Sequence, residues 1–320
     1  MHGLGFQRLR GVEVVGVCDV NPARSHRLAQ RLSSRSHNSI ESLLTAGIDL
    51  AAVCTREWQH WEVSRQLLEA GVDVFSEKIL VTRVQQGRDL IQLARRMDRC
   101  IGVNYNYRFM PGIAELHRLI ASGELGRLQL LTIDVHAFSY HHGIDLMCYL
   151  AGPTRIVSAE LNIDNRRRPF GGTDWNLYDE DIPYVPNNAA ITFRLANGAV
   201  GVINSSYDLP ATGFILAVHA VLDNGVVALI GINNQDVVGE LSILTQGRIR
   251  RLRINDYAER PFSRGYEYCF AKSIEAFMQS YVTRSQPPTS GEWGLKMIEL
   301  ERAIWRSSHT GDKVAFDSGQ

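Results

Sequence analysis

The 320-residue sequence predicts an α/β protein in which a doubly wound parallel sheet is followed by a domain with a large, mostly antiparallel open sheet. Three observations support this fold class. From Val12 to Asn106, short β-rich runs alternate with helix-period segments, which indicates βαβ units around a parallel sheet. After Tyr107 the pattern changes to strand pairs joined by glycine-containing turns. With 45% hydrophobic residues, the chain has enough apolar surface to bury two cores.

The first domain, residues 1–107, is predicted to alternate strands with helices. Gly47 and Gly71 stand where helix C-caps belong. Asn38, with Glu41 three residues later, predicts a capping box for the second helix. The predicted strands are Val12–Cys18, Leu50–Cys54, Val72–Phe75 and Ile101–Tyr105. The predicted helices are Ala23–Leu32, Ile40–Ala46, Glu57–Ala70 and Arg83–Met97.

The second domain, residues 108–320, is predicted to be α+β. A helix over Pro111–Ser122 is followed by hairpins, then by helices near Glu267–Tyr281 and Glu292–Ser307. The predicted hairpin strands are Ala190–Leu195 with Ala199–Asn204, Ile215–Leu222 with Val226–Ile230, and Leu241–Thr245 with Ile249–Ile254. Between them, Asn165–Asn187 has little periodicity and reads as a long loop of the kind used for binding.

The composition limits the partners. Lys plus Arg and Asp plus Glu number 34 each, so no charge asymmetry favours nucleic acid or an anionic membrane, and a small-molecule ligand is expected. The longest apolar run, Ala211–Leu222, is too short to span a bilayer. The five cysteines are odd in number and scattered, which predicts reduced, mostly buried thiols in a cytoplasmic protein.

Asp19 is the first candidate for ligand binding. It follows the β-rich run ending at Cys18, so its carboxylate is expected at the carboxyl end of a parallel strand. A dinucleotide-binding unit places an acidic residue there to accept the ribose hydroxyls. The alternative is a turn residue before the helix that follows Pro22.

The glycine-rich turn of such a unit lies about 20 residues before the acidic residue, which is at or before Met1. We therefore expect the first strand and its glycine turn to lie upstream, and a chain extended upstream to bind a dinucleotide better. Gly3 and Gly5 imitate part of the motif, but no strand precedes them, and a place in the first helix is the preferred interpretation.

Five segments, in the right order, resemble the Gfo/Idh/MocA oxidoreductases, the family of glucose-fructose oxidoreductase and inositol dehydrogenase. Each segment alone is a weak signal, whereas the ordered set covers nearly the whole chain. The segments are Cys18-Asp19-Val20-Asn21-Pro22; Thr55 with His60; Glu77-Lys78; Asn106-Tyr107-Arg108-Phe109 with Pro111; and His142-Gly143-Ile144-Asp145 with Leu150 and Gly152.

The resemblance implies a Rossmann-like NAD-binding domain, truncated at its N-terminus, with NADP as the alternative cofactor. It implies hydride transfer between nicotinamide and a hydroxyl or keto carbon of a sugar, inositol or related polyol. The second-domain sheet is then expected to pair subunits into a homodimer or homotetramer. The family also includes members that cleave glycosides with bound NAD, and this alternative stays open.

The chemistry requires a group that takes the hydroxyl proton and a donor that steadies the developing oxyanion. Lys78, at a strand end, suits either role, because partial desolvation lowers the pKa of a lysine. His142 suits the base or an anchor for a substrate hydroxyl, and Asp145, one helical turn on, is a candidate for fixing its tautomer. The alternatives are that Lys78 is a surface lysine after a strand, and that His141 and His142 simply open a helix while Asp145 pairs elsewhere.

The remaining candidates surround these three. No histidine or cysteine partner stands at zinc spacing, so no metal is expected. The candidate cofactor contacts are Asp19, Asn21, Arg24, Thr55, His60, Glu77 and Lys78. The candidate substrate contacts are Asn106, Arg108, Tyr140, His141 and Trp175.

The sequence also departs from the family pattern. Arg56 and Ile79 replace the usual prolines, and Phe138 replaces the acidic residue that commonly stands four positions before the motif histidine. Tyr140 and His141 are candidates to cover the missing acid. The rival prediction is a catalytically inactive ligand-binding or regulatory relative, which turnover of NAD with a panel of polyols would separate from an enzyme.

Overall fold

The computed structural model describes residues 1–162, 185–208, 215–232, 239–254 and 265–316, which form two compact units. The first unit comprises Met1–Tyr105 and Phe270–Ile298; the second comprises Asn106–Cys269 and Glu299–Gln320. The sequence analysis assigned all of residues 108–320 to the second domain. The chain instead returns to the first unit at Phe270.

The reason for this return is apolar packing. Ile274 and Phe277 complete a buried cluster with Phe6 and Phe75, and the rings of Phe75 and Phe277 lie 4.8 Å apart between centroids. A helix from the end of the chain therefore covers a core that the first residues of the chain begin. No local pattern in the sequence indicates such a long-range partner.

The first unit contains five parallel strands in two separate sheets, with orders β1-β2 and β3-β4-β5. β1 is shorter than predicted: Val12 and Val14 precede it and pack against the buried cluster that contains Phe75. β2 was not predicted, since its polar residues carry no apolar pattern. The expected upstream strand stays a prediction. The strands are β1 (Gly16–Cys18), β2 (Arg35–His37), β3 (Leu50–Val53), β4 (Asp73–Ser76) and β5 (Ile101–Val103).

The helices follow the predicted positions closely. Ser39, not Asn38, caps α3: its side chain accepts from the backbone N–H of Ser42, so the predicted capping box is wrong by one residue. Within the described residues no helix is long and apolar enough to cross a membrane. The helices are α1 (His2–Gln7), α2 (Pro22–Arg31), α3 (Ile40–Leu44), α4 (His60–Glu69), α5 (Val84–Arg96), α6 (Pro111–Ser122), α7 (Tyr140–Ala151), α8 (Gly265–Thr283) and α9 (Gly291–Thr310).

The second unit is built on a nine-stranded sheet of order β13-β12-β11-β10-β6-β9-β8-β7-β14. Among the strands that the structure describes in this sheet, β6 and β9 pair parallel and the other pairs are antiparallel, as the fold class predicted. The strands are β6 (Leu128–His136), β7 (Thr154–Asn162), β8 (Asn188–Leu195), β9 (Val200–Ser206), β10 (Ile215–Leu222), β11 (Gly225–Ile232), β12 (Gly239–Thr245), β13 (Arg248–Ile254) and β14 (Val314–Ala315).

The predicted hairpins are confirmed, and Gly198 and Gly247 have the positive φ that their turns require. β6 and β7 were missed. β6 pairs with β9 and β10, about 70 and 85 residues later, so no adjacent turn marks it as a strand.

Helix α7 packs against β6 and β9. Every residue of α7 except Tyr149 is buried. At Gly143, a Cβ atom would lie 3.2 Å from Val135 of β6, so this glycine permits the close approach of helix and sheet. The packing places the polar side chains of α7 in the interior of the second unit.

All five cysteines are free thiols. Cys148 and Cys269 are buried, Cys18 and Cys100 are half-buried, and Cys54 is exposed. The prediction that most of them are buried is therefore wrong. Cys18 ends β1 and Cys54 follows β3, at the sheet edge where strands reach solvent.

Candidate active site

Polar residues follow the strands of the first unit at their carboxyl ends. Asp19 follows β1, Thr55 follows β3, Glu77 and Lys78 follow β4, and Asn104 follows β5. Ligands of open parallel sheets bind outside the carboxyl ends of the strands. The carboxyl ends of these strands, in both sheets of the unit, are therefore the candidate dinucleotide site.

Glu77 is the most tightly held residue at this edge. Its Oε1 accepts from His2 Nε2 at 2.6 Å and Asn104 Nδ2 at 2.9 Å, and its Oε2 accepts from the backbone N–H of Lys78 at 3.1 Å. Burial acts to raise the pKa of this carboxyl, but His2, Asn104 and the Lys78 ammonium lower it to about 2. Glu77 is ionised at neutral pH and fixes the backbone that carries Lys78.

His2 is the cation of this pair. Burial acts to lower the pKa of its imidazole, while the Cys54 thiol and the Glu77 carboxylate raise it to about 10. His2 was not predicted as a site residue, and neither was Asn104, which the fourth predicted strand, Ile101–Tyr105, includes. The end of that strand at Val103 is the signal that identifies Asn104.

One buried polar atom at this edge fits a bound cofactor. Asn104 Oδ1 has no hydrogen-bond partner within the part of the chain that the structure describes. A buried polar atom without a partner is costly, and a ligand amide or hydroxyl group satisfies it.

His60 lies between two loops of the edge. It is fully buried, with Nδ1 2.6 Å from the carbonyl oxygen of Ile79 and Nε2 3.2 Å from that of Thr55. Burial lowers the pKa of its ring despite these two carbonyls. The structure thus gives His60 a positioning contact that ties the loop after β3 to the loop after β4. The Thr55 side chain is exposed.

Asp19 is the predicted ribose contact, and one oxygen of its carboxylate accepts a hydrogen bond from a neighbouring residue. Its Oδ1 accepts from the backbone N–H of Asn21 at 2.8 Å, and within the described ranges no bond engages Oδ2. The Asn21 side chain caps α2 by accepting from the N–H groups of Ala23 and Arg24, and the Arg24 side chain is exposed. Asp19 retains an oxygen for a ligand, while Asn21 uses its own for the helix.

In the second unit, His142 of α7 is buried and stacks on Tyr107, with ring centroids 3.8 Å apart and planes inclined by 6°. The Tyr107 hydroxyl lies 3.1 Å from Ser139 Oγ. The stack fixes the plane of the imidazole. Tyr107 was not among the predicted site residues, although its neighbours were.

Asp145 and Arg108 are brought together as a buried ion pair. Arg108 Nε donates to both carboxylate oxygens at 3.0 and 2.9 Å, and Nη2 also donates to Oδ1. Both side chains are almost fully buried, and the guanidinium lies 4.7 Å from the ring centroid of Tyr149. The sequence predicts that Asp145 acts on His142 and that Arg108 contacts the substrate. In the structure, Asp145 and Arg108 pair with each other. A tautomer-fixing role for Asp145 stays a prediction.

His141 has a carboxylate partner that the sequence analysis missed. Its Nδ1 lies 2.7 Å from Oε1 of Glu301 in α9, and both residues are buried. Tyr140, adjacent and buried, has a pKa raised first by burial and then by the charge of Glu301. The detectable signal was the helical spacing of Glu301 from the buried residues Met297 and Ile304.

The other predicted substrate residues have different placements. Asn106 is buried, and its Nδ2 has no hydrogen-bond partner among the residues that the structure covers. Phe138, at the family's acidic position, is 40% exposed. Trp175 lies outside the described residues.

Residues 1–105 match the Gfo/Idh/MocA family model, described as "Oxidoreductase family, NAD-binding Rossmann fold". Over 294 residues, the chain is 28% identical to the myo-inositol dehydrogenase Hyg17 of Streptomyces leeuwenhoekii, covering 87% of this chain and 84% of that protein.

Solved structures share the fold over nearly the whole chain. An oxidoreductase from Agrobacterium radiobacter in complex with NAD+, L-tartaric acid and magnesium superposes with a TM-score of 0.81 at 16% identity, covering 98% of this chain and 94% of that one. Levoglucosan dehydrogenase in complex with NADH and levoglucosan superposes with a TM-score of 0.80 at 18% identity, covering 95% of this chain and 90% of that one.

The first unit is therefore an NAD-binding Rossmann domain, and the protein is an oxidoreductase of the dinucleotide-dependent class. Its NAD-binding domain, residues 1–105, is of the Gfo/Idh/MocA family.

Proposed function

We propose that this oxidoreductase transfers a hydride between nicotinamide and a hydroxyl or keto carbon of a sugar, inositol or related polyol. The observation that carries the proposal is the Glu77-Lys78 pair after β4, where His2 and Asn104 hold the Glu77 carboxylate. The similarity to a myo-inositol dehydrogenase supports a polyol as the substrate class.

Bound NAD supplies the hydride acceptor. Asp19 accepts the ribose hydroxyls through the oxygen that Asn21 leaves available. Asn104 Oδ1 accepts a hydrogen bond from the cofactor or substrate, since nothing described in the chain satisfies it. Thr55, His60, Asn21 and Arg24 complete this end of the site, His60 by holding the loops in place.

Lys78 acts next to the reacting carbon. Glu77 accepts from the Lys78 backbone N–H, which fixes the start of the side chain. The Lys78 ammonium stabilises the oxyanion that develops on the substrate; alternatively, the neutral Lys78 amine takes the hydroxyl proton.

The second unit supplies substrate contacts. His142, with its ring plane fixed by Tyr107, serves as the base or as the anchor of a substrate hydroxyl. Arg108 and Asp145 neutralise each other within the unit and hold α7 beside the segment that follows β5. Asn106, Tyr140, His141 and Trp175 are proposed to contact the substrate.

The test is turnover of NAD and NADP with a panel of inositols, sugars and sugar acids. Lys78→Ala is expected to lower kcat by about 10²- to 10⁴-fold with NADH affinity retained, because a proton-transferring group acts mainly in the transition state. The exposed Lys313→Ala serves as the control.

Unchanged turnover in Lys78→Ala would remove Lys78 from the site. Phe138 replaces the acidic residue that the family resemblance implies, which favours one alternative function: a ligand-binding protein without catalysis. That alternative predicts binding of NADH and polyol with no turnover of any panel member.

A further inference from the structure

The mechanism above gives His141 only a substrate contact and does not use its buried partner Glu301. His141 opens α7 and Glu301 lies on α9, and their side chains meet at 2.7 Å inside the second unit. Both are more than nine-tenths buried. A carboxylate in such a place is retained only with a donor, and His141 Nδ1–H is the donor that the structure supplies.

The neighbouring groups leave this pairing intact. Tyr140 keeps its proton, because burial and the Glu301 charge raise its pKa. Arg108 and Asp145 neutralise each other through a bidentate contact. Glu301 is thus the carboxylate that faces His141.

With Nδ1 bound to Glu301, Nε2 is the nitrogen through which His141 can exchange a proton. Within the described residues, no hydrogen bond engages Nε2. A histidine with one nitrogen fixed by a carboxylate and the other open to a ligand is the arrangement of a general base, since the carboxylate sets the tautomer and stabilises the imidazolium.

We propose that His141 is the general base of the reaction and Glu301 its positioning residue, in place of the acid lost at Phe138; His142 is then the hydroxyl anchor. The inference rests on the proposed function. The substrate O–H bond breaks and its proton goes to Nε2, while the adjacent C–H bond breaks and its electron pair passes as hydride to nicotinamide. The oxygen electrons form the C=O bond.

The two histidines are separated by kinetics. His141→Gln keeps a hydrogen-bonding side chain but cannot act as the base, so kcat is expected to fall by about 10²- to 10⁴-fold with little change in KM. His142→Gln is expected mainly to raise KM. The exposed His309→Gln on α9 is the control, with both constants unchanged.

A structural role for the pair predicts a different pattern, namely lower thermal midpoints with kcat retained. His141→Ala tests this directly, because added imidazole is expected to restore activity to that variant and not to Glu301→Gln. Glu301→Gln is expected to lower kcat by about 10²-fold or more, because the tautomer is no longer set.

A readout independent of turnover is the proton NMR spectrum. The short Nδ1–H···Oε1 bond is expected to give a downfield resonance that is lost in Glu301→Gln and His141→Gln and kept in His142→Gln. Full kcat in folded His141→Gln, with Lys78→Ala inactive, overturns this inference and leaves the proposed function standing. Inactivity of the unmodified protein towards every substrate overturns the proposed function instead.

Discussion

The two units hold their charged groups in different ways. In the first unit, Glu77 and His2 form an ion pair at a sheet edge, where the Glu77 side chain keeps 26% of its exposure. In the second unit, Arg108 and Asp145 pair where neither side chain keeps more than 6%. The edge pair lies at the proposed dinucleotide site, and the interior pair holds a helix. The comparison teaches that similar ionic contacts serve positioning in one unit and packing in the other.

The interior pair gives the largest expected effect. Asp145→Asn is expected to lower the free energy of unfolding by about 3–5 kcal/mol, because it leaves the Arg108 guanidinium buried without its charge partner. Urea unfolding at neutral pH measures this. Arg118→Ala, which breaks a surface pair with Glu115, is the control and should leave the midpoint in place.

Replacing both partners sharpens the same point. Arg108→Met combined with Asp145→Leu is expected to recover much of the lost stability, since it buries no unpaired charge. A double variant as unstable as Asp145→Asn would contradict a mainly packing role for the pair.

The edge pair is expected to act through pH. The pKa of Glu77 is lowered from 4.5 to about 2, so its stabilisation is present above pH 4.5 and is lost as pH falls towards 2. The pKa of His2 is raised from 6.5 to about 10, so its stabilisation is present below pH 6.5 and is lost as pH rises through 10.

Glu77→Gln is therefore expected to be less stable than the unmodified protein by at most about 3 kcal/mol, with the largest difference between pH 5 and 6.5. Unfolding curves at pH 3, 6 and 10 check the profile. If Glu77→Gln lowers the free energy of unfolding by the same amount at all three pH values, the stabilisation does not depend on the charge of Glu77.

A smaller effect is expected at Asp19. A 2′-phosphate close to this carboxylate meets repulsion, so NAD is expected to bind more tightly than NADP. Asp19→Ala should weaken NAD binding. It should also reduce the ratio of the NADPH and NADH dissociation constants by about tenfold, as measured by fluorescence titration. Asp89→Ala, on the outer face of α5, is the control. Equal affinities in the unmodified protein would count against Asp19 as the ribose acceptor.

The smallest effect on folding is expected at the open face of the second-unit sheet. Leu244 and Ile249 are exposed cross-strand partners on β12 and β13, and Ile230 is exposed on β11. We propose that this face pairs subunits. Ile249→Lys should convert the oligomer to a monomer by light scattering while the thermal midpoint hardly changes. A monomeric mass for the unmodified protein at micromolar concentration would rule out the pairing.

Elements with a local signal were predictable. Their positions after predicted strands made Asp19 and Lys78 site candidates. A charged residue directly after a buried parallel strand lies at the carboxyl end of the sheet, where ligands bind. Glycine turns identified the hairpins of the second unit. Strands without a neighbouring hairpin, such as β6 and β7, were missed.

The sequence by itself determined the fold class, because this depends on periodicity and spacing along the chain, and its ordered motifs carried the family resemblance. Only the tertiary structure decided which charges meet: Arg108 with Asp145 across 37 residues, and His141 with Glu301 across 160. The reason is physical. A buried charge takes the nearest partner in space, and that partner is set by the packing of helices on a sheet rather than by local sequence.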